Sequence, residues 1–117
     1  MENKKYLESL KDYEIDKEAV EKVGTIYGMK CPVVVSSIIT SSTKAIFLDN
    51  SRVLTYNEIV HADTEYDVDF IKQGLLPLFD CGDNNFIVYH FKEQNWSLYN
   101  IVDNCSFKKR DSLEELL

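Results

Sequence analysis

The chain is poor in the residues that break or staple a fold. Its 117 residues hold two Pro, four Gly and three Cys. So little Pro and Gly leaves no linker and no low-complexity stretch, and a single domain over residues 1–117 is expected. Cys31, Cys81 and Cys105 are far apart and odd in number, which excludes a disulfide framework or a cysteine zinc motif. They read as free thiols in a reducing cytoplasm. No run approaches the ~20 apolar residues of a membrane span. The first ten residues lack the apolar stretch of a secretory signal, so a cytoplasmic location is expected. Positive charge is also scarce. Thirteen Lys and Arg face twenty Asp and Glu, a net charge of −7. That excludes a general nucleic-acid or anionic-membrane binder and suits a basic partner. What is present is an ordinary globular composition, 44% hydrophobic and 28% charged.

The N-terminal half reads as helical. The first ten residues, and up to residue 14, are expected to be loosely held. Asp16 is a good N-cap, Ala19, Val20, Val23, Ile26 and Tyr27 repeat at helical spacing, and Gly28 suits the end. Residues 32–41 remain open between helix and strand, with helix preferred: Pro32 suits a helix start, but Val34, Val35, Ile38 and Ile39 would also suit a strand. Lys44–Asp49 and Arg52–Leu54 read as strands. Thr55-Tyr56-Asn57-Glu58 is a capping box, flanked by Leu54 and Ile59 at staple positions, and starts a helix to about Ala62. A further helix over Val68–Gln73 is expected, capped by Asp67 and stopped by Gly74.

The last third reads as β. Leu75–Phe79, Phe86–Phe91 and Trp96–Ile101 are strand-like, separated by the turn chemistry of Asp80–Asn85 and by Lys92–Asn95. Asp111 or Ser112 caps a closing helix with Leu113, Leu116 and Leu117. The fold class is therefore α+β: an antiparallel sheet of about four to six strands with helices packed around it.

Most catalytic chemistry is absent. His61 and His90 lie in no nucleophile motif, and there is no Gly-x-Ser-x-Gly. An enzyme using Cys81 or His90 is the weakest reading, because lone His and Cys are usually structural. The isolated glycines make no phosphate cradle. Asp80, Asp83 and Asn85 resemble oxygen ligands. A calcium loop counted from Asp80, however, would put Asn85 where Gly is required and Phe91 where Glu is required. No metal and no cofactor are expected. Lys108-Lys109-Arg110 is too short for a nucleic-acid stripe and is read as a loop.

One feature rises above this background. Val53–Ile71 carries Glu58, Asp63, Glu65, Asp67 and Asp69 with no Lys or Arg, and Asp80 and Asp83 follow. Tyr66 and Phe70 are interleaved. An acidic surface with aromatics can dock a basic protein, charge steering the encounter and aromatics anchoring it. By charge alone a solvated acidic face is the plainer reading. The candidate partner-binding residues are Asp63, Glu65, Asp67 and Asp69, with Asp80 and Asp83 as a second patch.

Leu75-Leu76-Pro77-Leu78-Phe79-Asp80-Cys81-Gly82-Asp83-Asn84-Asn85-Phe86-Ile87-Val88-Tyr89 resembles the central signature of the SUKH superfamily, which includes the Smi/Knr-type regulators of fungal cell-wall synthesis. Trp96–Ile101 resembles its Trp-bearing strand. Arg52–Ile59 resembles its short strand and capped helix, and Ser112–Leu116 its closing helix. The resemblance covers about residues 45 to 117. It implies a non-enzymatic binder. Bacterial members are mostly immunity proteins that block polymorphic toxin domains, many of them nucleases, and fungal relatives are interaction hubs. The expectation is an immunity-type protein with a basic toxin as partner, the alternative a scaffolding module.

Overall fold

A computed structural model describes residues 1–117. The chain runs through α1 (Glu2–Ser9), α2 (Lys17–Tyr27), α3 (Val33–Ser41), β1 (Arg52–Val53), α4 (Tyr56–Val60), α5 (Ala62–Tyr66), α6 (Phe70–Gln73), β2 (Leu75–Gly82), β3 (Asn85–His90), β4 (Asn95–Asn100) and β5 (Cys105–Arg110). A 3-10 turn, Leu10–Asp12, extends α1, and another, Leu113–Glu115, closes the chain. The strands form one antiparallel sheet in the order β1-β2-β3-β4-β5, with the six helices packed around it. The α+β expectation is correct. No helix is long and apolar enough to cross a membrane.

Both faces of the sheet are covered, and strand alternation decides what meets what. Phe86 pairs with Tyr99 across β3 and β4 and shares its face. Tyr66 of α5 packs on Phe86 with centroids 4.7 Å apart, and Phe70 of α6 packs on Tyr99 at 5.5 Å. Phe79, Ile87 and Trp96 point the other way. There Tyr6 of α1 stands edge-on to Phe79 at 6.1 Å, and Tyr89 contacts Trp96 at 4.9 Å. Burying each such side chain is worth about 1.5–3 kcal/mol.

Local signals explain most boundaries. The Asp16 carboxylate accepts from the Ala19 amide, and Gly28 ends α2 at φ 67° in the left-handed region. Segment 32–41 is helical because Val35, Ile38 and Ile39 are fully buried at helical spacing. The Thr55–Glu58 box is made in both directions, between two fully buried residues, Leu54 and Ile59. The β2–β3 connection is tighter than the sequence suggests. Only Asp83 and Asn84 turn, both at positive φ, as a primed two-residue hairpin requires. The remaining hairpins each use four residues, with Gln94 and Asn104 left-handed at the last position.

Five expectations need correction. The first residues are not loose. Tyr6 and Leu10 are buried, the Tyr6 hydroxyl bonds Ser41 Oγ at 2.8 Å, and the amides of Glu2 and Asn3 donate to the Asp49 carboxylate. Lys44–Asp49 is not a strand. Ile46 and Leu48 are half-buried against the core, but only Phe47 bridges to Arg52, so the run has a single bridge and no continuous ladder to make it a strand. The helix begun by the capping box breaks at His61 (φ −113°), making α4 and α5. The next helix starts at Phe70, not Val68, and Asp67 does not cap it. Asp67 instead ends α5 in the left-handed region at φ 54°. Finally, Lys108-Lys109-Arg110 belongs to a strand, β5, with Lys108 at φ 54° where the pairing with β4 shifts register.

Candidate functional site

The six candidate carboxylates divide by what they already bond. Asp80 is occupied. Its Oδ2 accepts from Arg52 Nη2 at 3.1 Å and its Oδ1 from the Gly82 amide at 2.9 Å. The same guanidinium donates to both oxygens of Glu58, at 2.7 and 2.9 Å. The Tyr66 hydroxyl donates to Glu58 Oε2 at 2.7 Å, and the Thr55 amide donates to Glu58 Oε1 at 2.9 Å. Strand β1 supplies Arg52, the capping box places Glu58, and β2 places Asp80 opposite Arg52 in the register. The bidentate Arg52 fork holds the Glu58 carboxyl down at about 2, against the opposing pull of its burial. Burial and the Glu58 charge push the Tyr66 hydroxyl up, so it stays a donor. This network fastens β1, α4, α5 and β2 to one another.

Asp63 is occupied as well. Its Oδ1 accepts from the amides of Phe70 at 2.9 Å and Ile71 at 3.4 Å, so it satisfies the start of α6 from seven residues upstream. Partial burial, partly offset by those amides, raises its pKa, and the charge of Asp69 adds to the rise. A cap from a previous element leaves no local spacing to read. The sequence therefore pointed to Asp67 instead.

The other four carboxylates, Glu65, Asp67, Asp69 and Asp83, are exposed and accept no side-chain hydrogen bond or ion pair within the chain. Asp67 and Asp69, with the edge of Asp63, line a shallow depression closed by Val68, Lys72, Gln73 and Asn104. Its base is fixed by Tyr99, whose hydroxyl meets the Gln73 amide at 3.1 Å and donates to the Asn104 side-chain oxygen at 2.8 Å. Asp83 sits in the β2–β3 turn at the same end of the sheet. The Ile101 amide donates to the Asn84 carbonyl there at 3.0 Å, tying that turn to the β4–β5 turn that carries Asn104.

That β4–β5 turn adds residues the sequence reading missed. Asp103 is exposed and Val102 is 70% exposed, beside Asn104. The signal was present, since Asp103-Asn104 is ordinary turn chemistry. It had no meaning until a strand followed it. The interleaved aromatics are not surface anchors. Phe70 is fully buried and Tyr66 is stacked on Phe86.

The groups considered for catalysis are engaged within the fold. His90 Nε2 lies 2.6 Å from Ser97 Oγ, a base-and-hydroxyl geometry, but Ser97 has no exposed surface for a substrate to reach. Burial lowers the His90 pKa. Burial beside Asp80 raises the Cys81 thiol to about 11, the opposite of an activated nucleophile. No group of three or more His, Cys, Asp or Glu side chains is arranged to hold a metal ion. No protein-family model, curated protein or solved structure matches the chain.

Proposed function

We propose that this chain is a SUKH-type protein-binding domain of the immunity class, which neutralises a basic toxin domain by covering it with the acidic end of the sheet. One observation carries the reading. Asp67 and Asp69 line one depression, Asp83 and Asp103 are exposed in the two turns at that end of the sheet, and none of the four has an ion pair within the chain. The carboxylates outnumber the one cation of the depression, Lys72, and an excess of unpaired negative charge attracts an oppositely charged surface and raises the encounter rate. A nuclease cleft is such a surface, because it must bind phosphates. The resemblance over about residues 45 to 117 supplies the class of partner, and the charge supplies the mode of docking. The role needs no catalytic group.

Parallel affinity capture from the source organism's lysate and secretome tests this. The baits are the native chain and an Asp67→Asn/Asp69→Lys variant, at low and moderate salt. Asn tolerates the left-handed backbone at position 67. The native bait is expected to hold one basic toxin domain, released as salt rises, with association slowed about tenfold or more in the variant. Equal capture by both baits, or recovery of cell-wall signalling proteins instead, would remove the immunity reading.

A further inference from the structure

The other face of the sheet carries a different surface. Trp96 and Tyr99 are three residues apart on β4 and so point to opposite faces. On the Trp96 side an open groove is lined by Leu7, Leu10, Val33, Val34, Trp96 and Leu113. Val33 opens α3 yet is 81% exposed, and Val34 beside it is 38% exposed. A β-branched apolar residue as exposed as Val33 at a helix start gains little from propensity or burial. Val33 and Val34 stand next to the groove whose wall they form, so a projection and a recess share one surface.

The rim is charged with both signs. Lys11 reaches it from the 3-10 turn after α1, and Asp111 and Glu114 reach it from the C-terminal segment. None of the three forms an ion pair within the chain. A partner that satisfies this rim must carry acidic groups opposite Lys11 and a basic group opposite Asp111 and Glu114. The same patch on a second copy carries both. Under a two-fold axis, residue i meets j while j meets i, so a contact of Lys11 with the acidic pair of the mate is made twice, and so is a contact of Val33 with the mate's groove.

We infer that this groove is the interface of a symmetric homodimer, with Val33 as the apolar projection and Lys11 against Asp111 and Glu114 as the charge pairing. The Asp67 and Asp69 depression lies over Tyr99, on the face opposite Trp96, so this inference stands apart from the proposed toxin surface.

Sedimentation equilibrium between about 1 µM and 1 mM, the range of weak specific association, reads it directly. The expected mass rises with concentration from the 13.6 kDa of one chain towards that of two. Val33→Glu is expected to weaken association at least about tenfold, as for a central apolar contact. Its thermal melt should stay native-like, because Val33 is exposed in the single chain. Lys11→Glu should weaken it too, and combining it with Asp111→Lys and Glu114→Lys should restore it. A mass of one chain throughout would overturn the inference, as would association indifferent to Val33→Glu. A monomer whose groove takes up an apolar dye would overturn it as well, since the groove would then belong to another kind of occupant.

Discussion

Two acidic regions of this protein lie close in sequence and differ in what surrounds them. Around Arg52, the carboxylates of Glu58 and Asp80 are held by a guanidinium, a phenol and backbone amides. Around the Val68 depression, Asp67 and Asp69 face water. The first arrangement uses charge to join elements. The second leaves charge available to a partner. A count of acids along the chain cannot separate these roles, because the separating fact is one arginine delivered by the register of β1 on β2.

The comparison breaks most sharply at Arg52. Arg52→Met would leave two partly buried carboxylates, with side chains only 18% and 28% exposed, without their counter-charge, Glu58 keeping only its bonds from Tyr66 and the Thr55 amide and Asp80 its bond from the Gly82 amide. A loss of about 2–3 kcal/mol in unfolding free energy is expected by urea denaturation, below the full cost for a deeply buried pair. Acid sharpens the same point. The folded pKa of Glu58 is about 2 and its unfolded value 4.5, so its contribution is complete above about pH 4.5 and is lost as pH falls towards 2. That shift corresponds to on the order of 3 kcal/mol. The stability difference between the native chain and Glu58→Gln should therefore shrink progressively below pH 4.5.

Asp63 stands between the two regions, since it lines the depression yet caps α6. Asp63→Ala should cost about 1 kcal/mol, the usual loss for a capping carboxylate, in a thermal or urea melt. Asp69→Lys, which breaks no bond in the fold, should stay within about 0.5 kcal/mol of the native chain by the same melt. A larger loss there would mean that the open acidic region also holds the structure together.

Much of this fold was legible because its signals are local. The Thr55–Glu58 box, the Asp16 cap and the left-handed glycines at 28 and 74 each act within a few residues. What failed depends on distant partners. Lys108, Lys109 and Arg110 read as a loop because they are the charges that keep the exposed edge of β5 from pairing further. The α1 segment looked loose because its anchors, Ser41 and Asp49, are more than 30 residues away. The site was half legible. Glu65, Asp67, Asp69 and Asp83 are exposed as a binding surface needs. Asp63 and Asp80 were taken up by an α6 backbone and an arginine that no spacing announces.

The most direct measurement is the association rate of the captured basic partner with the native chain and with Asp67→Asn/Asp69→Lys, followed over a range of salt. The account predicts a steep salt dependence for the native chain, an association rate lower by about tenfold or more in the variant, and dissociation rates that differ far less. Equal association rates with the same salt dependence, in a variant that melts like the native chain, would contradict it.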